Sequence, residues 1–349
     1  MPSNLVQGDR LGRSITLPTS VVARGSFICL QTMWRSCGSY FWAQFRNKPI
    51  YYAYFEACNE ALIEMDAAAL TDIFGESLRK QLRHASLSRP YFEEFPLRNA
   101  GGLPRFLRRF VYDDYYMATG HLDQELVQYI SYLLDYARAQ GRVPVVKLCR
   151  WGLRTAWLQE HFASVCIYVL RAPDAMFRSY WSFGQQCSYF IVRMILIIAK
   201  NSRTDIFRRS ARELGIPFIR ESSLSDEVRQ AAAVAERLDV QSIRDVVFLL
   251  WSLNLAHNAS TADMVIDVDL LSQRPEYREQ VEADLHGNIG ESFSFDDFVP
   301  STLPSAPGEV LSARGRDLSR EALQSIVGRL DATKDFSDES NELLGALFG

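Results

Sequence analysis

The run VCIYVL at residues 165–170 constrains the fold most. Six consecutive residues carry no charge and three are β-branched. Such a strand hides both of its faces, and a parallel sheet covered by helices on each side provides that environment. The run stops at Arg171, and Ala172, Pro173 and Asp174 then open a helix. Four more short runs share this character: FICL at 27–30, IYYAYF at 50–55, VPVVKLC at 143–149 and ADMVIDVDL at 262–270. Helical periodicity or composition fills the spaces between them, at 40–46, 59–65, 122–140 (closed by Gly141), 153–162, 226–238 and 243–257. Strands alternating with helices predict an α/β protein, rich in helix, with a parallel central sheet flanked by helices on both faces.

The polar stretch 1–24 is expected to be a loosely packed arm, and 25–349 one α/β domain. Within it, 71–120 is mixed in Pro, Gly, aromatics and charge and forms an excursion from the sheet, placed on the substrate side. Residues 287–315 are expected to be mostly loop, with short helices near 321–330 and 339–347 in the tail. A net charge of −4 excludes a general nucleic-acid binder, so any anion site must be local. The six cysteines include no CxxC pair, which favours buried thiols over a disulfide or zinc framework. The run YFIVRMILIIA at 189–199 is too short to span a bilayer and contains Arg193; a buried helix is expected, without stable membrane insertion. The first twenty residues lack the apolar core of a secretory signal, and a cytoplasmic location is expected.

The chemistry-bearing residues fall where apolar runs end. In 25–46 the first strand enters a polar turn, Trp34-Arg35-Ser36-Cys37-Gly38-Ser39, and then a helix beginning near Tyr40. Such a turn directs backbone N–H groups and a positive helix end at one place, and Arg35, Ser36 and Ser39 add charge and hydroxyl donors for an anion. Glu56 follows the second strand, at the edge where open α/β sheets place ligands. Lys147 lies near the end of the third strand, where a buried charge is costly unless it meets an anion. Arg171 ends the fourth, and Ser179 stands eight residues on. Arg105, Arg108 and Arg109 are read as a solvated basic helix face in preference to a substrate clamp.

Taken in this order, Arg35–Ser39, Glu56, Lys147, Arg171 and Ser179 resemble the pattern of sulfotransferases that use 3′-phosphoadenosine 5′-phosphosulfate (PAPS). The resemblance covers residues 27 to about 270, includes the segments PIYYAYFEACNE and RPYFEEFPL, and extends to bacterial sulfotransferase-like proteins. It implies a P-loop-NTPase-like sulfotransferase fold. It also implies that Arg35, Ser36, Cys37, Gly38, Ser39 and Tyr40 hold the 5′ end of PAPS, and Arg171 and Ser179 its 3′-phosphate. By likeness to the tyrosylprotein and heparan-type branch, Glu56 is the base, with Lys147 and Arg35 neutralising charge on the sulfonate. Glu60 could share that role, and His84 is the rival base. The loop departs from the family at one point, reading Arg-Ser-Cys-Gly-Ser where Arg-Ser-Gly-Thr is usual. The implied donor is PAPS and no metal is required. The acceptor is a hydroxyl or amine of a glycan or glycolipid, with a small hydroxylated metabolite as the alternative. A homo-oligomer is compatible with the sequence.

Three other readings compete. A kinase P-loop needs GxxxxGK[ST], and residues 31–39 have no Gly-Lys pair. A degenerate nucleotide-binding module would be favoured by Cys37. A plain α/β domain without nucleotide is opposed only by the joint spacing of the residues above.

Overall fold

The structure, a computed structural model, describes residues 27–65, 89–97, 102–299, 306 and 312–327. Its centre is strand β1 (Phe27–Thr32), buried at all six positions. With β2 (Tyr51–Tyr54), β3 (Val143–Leu148), β4 (Ser164–Leu170) and β5 (Met264–Asp267) it forms a five-stranded sheet in the order β2-β3-β1-β4-β5. Every pairing is parallel; Leu30 stands beside Lys147 on one side and Ile167 on the other.

Twelve α-helices surround the sheet among the described residues: α1 (Gly38–Arg46), α2 (Arg109–Tyr112), α3 (Gln124–Ala139), α4 (Thr155–His161), α5 (Pro173–Trp181), α6 (Tyr189–Asn201), α7 (Asp205–Glu213), α8 (Leu224–Arg237), α9 (Val240–Thr261), α10 (Val268–Gln273), α11 (Pro275–Ile289) and α12 (Ala313–Val327). Strand β4 shows why they must lie on both faces. Val165, Ile167 and Val169 join a core with Phe41, Trp42 and Phe45 of α1, whereas Tyr168 and Leu170 join a second core with Met176, Phe177 and Tyr180 of α5. Neighbouring strands β1 and β4 thus send their following helices to opposite faces, and a crevice opens between their carboxyl ends. Helices α6 and α9 fill the second core, and among the described residues no helix is long and apolar enough to cross a membrane.

Several boundaries differ from the sequence-based expectations. The segment after Asn59 is a single 3₁₀ turn, Glu60–Ile63, which Asn59 caps by accepting from the Ala61 N–H. Strand β5 ends at Asp267, because that carboxylate accepts from the N–H groups of Asp269 and Leu270 and starts α10. Residues 287–289 complete α11, and α12 begins at Ala313, so both ends of the expected 287–315 loop are helical. Arg314 is turned to Asp245 and Ser242. Arg105, Arg108 and Arg109 do not share one solvated face: Arg105 is exposed and reaches Gln128, while the half-buried Arg108 and Arg109 go to Glu227 with the Glu221 and Ser222 carbonyls and to Asp123 with Glu125. Within the described part of the 71–120 excursion, Tyr91, Phe92, Phe95, Tyr112 and Tyr115 are core residues. The arm 1–24, His84 and the tail helix at 339–347 lie outside the described residues.

Candidate active site

The carboxyl edge of the sheet carries two adjoining clusters. The first is the turn between β1 and α1. Arg35 and Cys37 both have left-handed backbone (φ 66° and 63°), flanking Ser36. Two such residues store roughly 1–3 kcal/mol of strain each, which the packing around them must offset. Ser36 holds the turn by donating to the Met33 carbonyl at 2.7 Å, and Tyr180 donates to the Trp34 carbonyl at 2.6 Å. Gly38 is obligatory here, since a Cβ would sit 2.6 Å from the Thr32 side chain. Cys37 therefore has the backbone a glycine would take, and it precedes α1 without capping it by a side-chain bond. A side chain at this left-handed position adds to the strain of the turn.

Arg35 Nε donates to Ser179 Oγ at 2.8 Å, and its guanidinium lies over the rings of Phe183 and Phe190. Arg171 Nη1 donates to the Arg35 carbonyl at 3.2 Å. The expected partners Arg35, Ser36, Arg171 and Ser179 are thus brought to one place, the crevice between β1 and β4. Arg171 is only 6% exposed, yet its Nε has no hydrogen-bond partner; Asp269 Oδ1 is 3.9 Å away, and the other oxygen of Asp269 is taken by the Ala172 N–H. Ser39 lies in the first turn of α1. Tyr40 is not part of this set: its hydroxyl donates to Asp297 and its ring packs on Phe298 and Phe295.

The second cluster is built on Glu56, which follows β2 with φ 47° and is 8% exposed. Oε1 accepts from Lys147 Nζ at 2.9 Å, and Oε2 accepts from Arg150 Nη1 and from Asn59 Nδ2. The sequence argument that Lys147 must meet an anion is met by the chain's own carboxylate. Lys147 also lies 4.1 Å from the centre of the Phe55 ring. Arg150 reaches on to Glu60 at 2.5 Å and to the Tyr189 hydroxyl at 2.8 Å, and its guanidinium lies over Trp34. Glu60 in turn pairs with Arg193 at 3.2 Å and accepts from Tyr189. Burial alone would push the Glu56 carboxyl up, but Lys147 and Arg150 outweigh it and hold the group far below the usual carboxylate range. Glu60 is lowered in the same way by Arg150 and Arg193 against the effect of burial.

Trp34 and Arg35 join the clusters, the first lying against Arg150 and the second against Ser179. Across both, Arg35, Lys147, Arg150, Arg171 and Arg193 face Glu56, Glu60 and Asp269, an excess of positive charge suited to an anionic ligand. Sequence reasoning missed Arg150 as a site residue and treated Arg193 only as an interruption of an apolar helix. For Arg193 the signal was present, a cation inside an apolar run, the argument already applied to Lys147; Arg150 stands just past the end of β3.

Comparison of the chain with family models, with curated proteins and with solved structures gave no match. The chemistry of the site therefore rests on its own residues.

Proposed function

We propose that this chain is a sulfotransferase that takes its sulfonate from PAPS. The observation that carries the reading is Arg171: a buried guanidinium with an unpartnered Nε, beside Arg35 and Ser179 and at the mouth of the crevice between β1 and β4. A buried guanidinium short of acceptors calls for an anion, and a phosphate offers the oxygens it lacks. The residues present fit the donor: Arg171 and Ser179 would hold its 3′-phosphate, and the turn Arg35–Ser39 its 5′ end. PAPS supplies a sulfonate on a phosphate leaving group. For its part, the protein orients the reactants and stabilises charge.

Glu56 is the carboxylate within reach of Lys147, and its proposed task is to accept the proton of the acceptor hydroxyl or amine. As an ion pair with Lys147 and Arg150 it is a weak base. Lys147 is also the cation proposed to meet the sulfonate, and when it turns to an incoming anion Glu56 loses one of the two charges that keep it weak. A glycan or glycolipid is the acceptor class we favour, and a small hydroxylated metabolite is the second; location in the cytoplasm goes with this reading.

The complete pairing of Glu56 supports one other reading, a module that binds the nucleotide without transferring anything. Thermal unfolding with 3′,5′-diphosphoadenosine, AMP and ATP tests the donor assignment shared by both. Stabilisation by the first and not by the others is expected, about 2.7 kcal/mol at a hundredfold excess over Kd. Equal response to all three, or to none, would overturn it. Formation of 3′,5′-diphosphoadenosine from PAPS, with the sulfonate passing to an added hydroxyl acceptor or to water as free sulfate, then separates enzyme from binding module.

A further inference from the structure

We propose that Arg150 is the positioning residue of the carboxylate cluster: a single buried guanidinium fixes Glu56 at the end of β2 and ties it, through Glu60 and Tyr189, to the first turns of α6. The inference of a catalytic consequence rests on the sulfotransferase reading above, but the placement of Glu56 does not.

The geometry is that of a fork with occupied tines. Nη1 donates to Glu56, while Nη2 meets Tyr189 Oη at 2.8 Å and Glu60 at 2.5 Å. The side chain is 1% exposed, and Trp34 covers its plane with the ring centre 5.3 Å from Cζ. A lysine bridges two carboxylates only where both come to its single nitrogen, as Lys200 does with Asp113 and Glu227; the planar guanidinium presents separate nitrogens, Nη1 to Glu56 and Nη2 to Glu60. The backbone of the turn is tied by the Asn59 N–H to the Glu56 carbonyl and by the Ala57 N–H to the Lys147 carbonyl, while the Glu56 carboxylate is oriented by side-chain partners. Those partners come from every element around it: Lys147, Cys149 and Arg150 from the β3 end, Asn59 from the 3₁₀ turn, with Glu60, Tyr112 and Tyr189 beyond Arg150. Among them only Arg150 contacts both Glu56 and α6.

Helix α6 gives that link a use. Tyr189 and Arg193, one turn apart, face Glu60, and Arg193 caps the Tyr189 ring at 3.9 Å. The adjacent Phe190 lies against Arg35 in the phosphate half. The same turn of helix therefore touches both clusters, and Arg150 is the residue through which the base is held to it.

The test uses the full chain with ¹³C-labelled glutamate carboxyls, so that Glu56 is titrated directly and no acceptor is needed. Arg150→Gln is expected to move the Glu56 midpoint up by about 1–3 units. Arg150→Lys keeps a cation but not the fork; it is expected to raise the midpoint less, while lowering sulfate release from PAPS at least tenfold with unchanged 3′,5′-diphosphoadenosine affinity. Arg150→Lys with wild-type titration and wild-type sulfate release would overturn the proposal, and it decides alone if Arg150→Gln does not fold. If the wild type binds no 3′,5′-diphosphoadenosine, the donor reading fails while the titration still reports on Arg150. Glu56 titrating normally in the wild type would refute the positioning role itself.

Discussion

The two clusters at the sheet edge bury charge in opposite ways. Around Glu56 both carboxylate oxygens accept from cations, and Arg150 and Arg193 each meet a carboxylate at hydrogen-bond distance, so the charges are paired within the chain although Arg150 Nε has no acceptor. Around Arg171 the guanidinium has one carbonyl at 3.2 Å and a carboxylate, Asp269, no nearer than 3.9 Å from Nε, so its charge is met without a hydrogen bond to an anion and the cluster is incomplete. A closed ionic cluster contributes to stability only while it stays intact, since removing one member strands the rest. An incomplete one contributes little to the folded chain but a great deal to a ligand that completes it. On the proposed reading, the difference separates a carboxylate whose pairs must be loosened before it could act from a guanidinium that an incoming phosphate would complete.

Removing Glu56 should break the contrast most severely. Glu56→Gln leaves Lys147 buried without its counter-charge and Arg150 with Glu60 alone, and a loss of about 3–5 kcal/mol is expected in urea unfolding at pH 7. The sign of the pH dependence follows from the depressed folded-state value: the contribution is complete above the unfolded value of about 4.3 and disappears as pH falls through the folded one. Wild type should therefore lose stability more steeply than Glu56→Gln on acidification below about pH 4. Parallel curves would show that the pairing contributes nothing.

Arg171→Ala sharpens the other side. It should cost no more than about 1.5 kcal/mol of stability, one weak hydrogen bond's worth. Loss of charge-assisted bonds should nevertheless weaken 3′,5′-diphosphoadenosine by about 1.5–3 kcal/mol, tenfold or more. A stability loss as large as that of Glu56→Gln would mean that the two clusters do not differ as described. The turn itself yields two smaller effects. Gly38→Ala, with its Cβ forced against Thr32, should destabilise by about 1–3 kcal/mol. Cys37→Gly should stabilise by up to about 1 kcal/mol, because glycine adopts φ 63° without the side-chain penalty but starts from a freer unfolded chain. Thermal unfolding of the two variants checks both.

All five strands were legible because each is a short apolar run bounded by a polar turn, and β4, with no charge at all, marked the sheet as buried on both faces. Element ends were less legible, since local side chains set them: Asp267 stops β5 by capping α10, a carboxylate that in sequence passed for the end of a longer strand. In the site, the gathering of Arg35, Ser179 and Arg171 followed from strand ends sharing one edge. The pairing of Lys147 with Glu56 also follows from that topology, given a lysine that must find an anion. Arg150 was not legible in the same way. A basic residue just past a strand passes for a surface residue until the packing of Trp34 and the approach of α6 show that it is covered. Tyr40 shows the other limit: its place beside the turn suggested a ligand contact, and nothing in the sequence foretold that its hydroxyl is taken by Asp297, more than two hundred and fifty positions away.

The central claim is that the incomplete cluster is a 3′-phosphate site. Calorimetric titration of wild type and Arg171→Ala with 3′,5′-diphosphoadenosine and with AMP addresses it most directly. The wild type should prefer the diphosphate by at least tenfold, and Arg171→Ala should lose most of that preference while its AMP affinity stays close to wild type. Equal losses for both nucleotides, or a preference that survives the substitution, would contradict the claim.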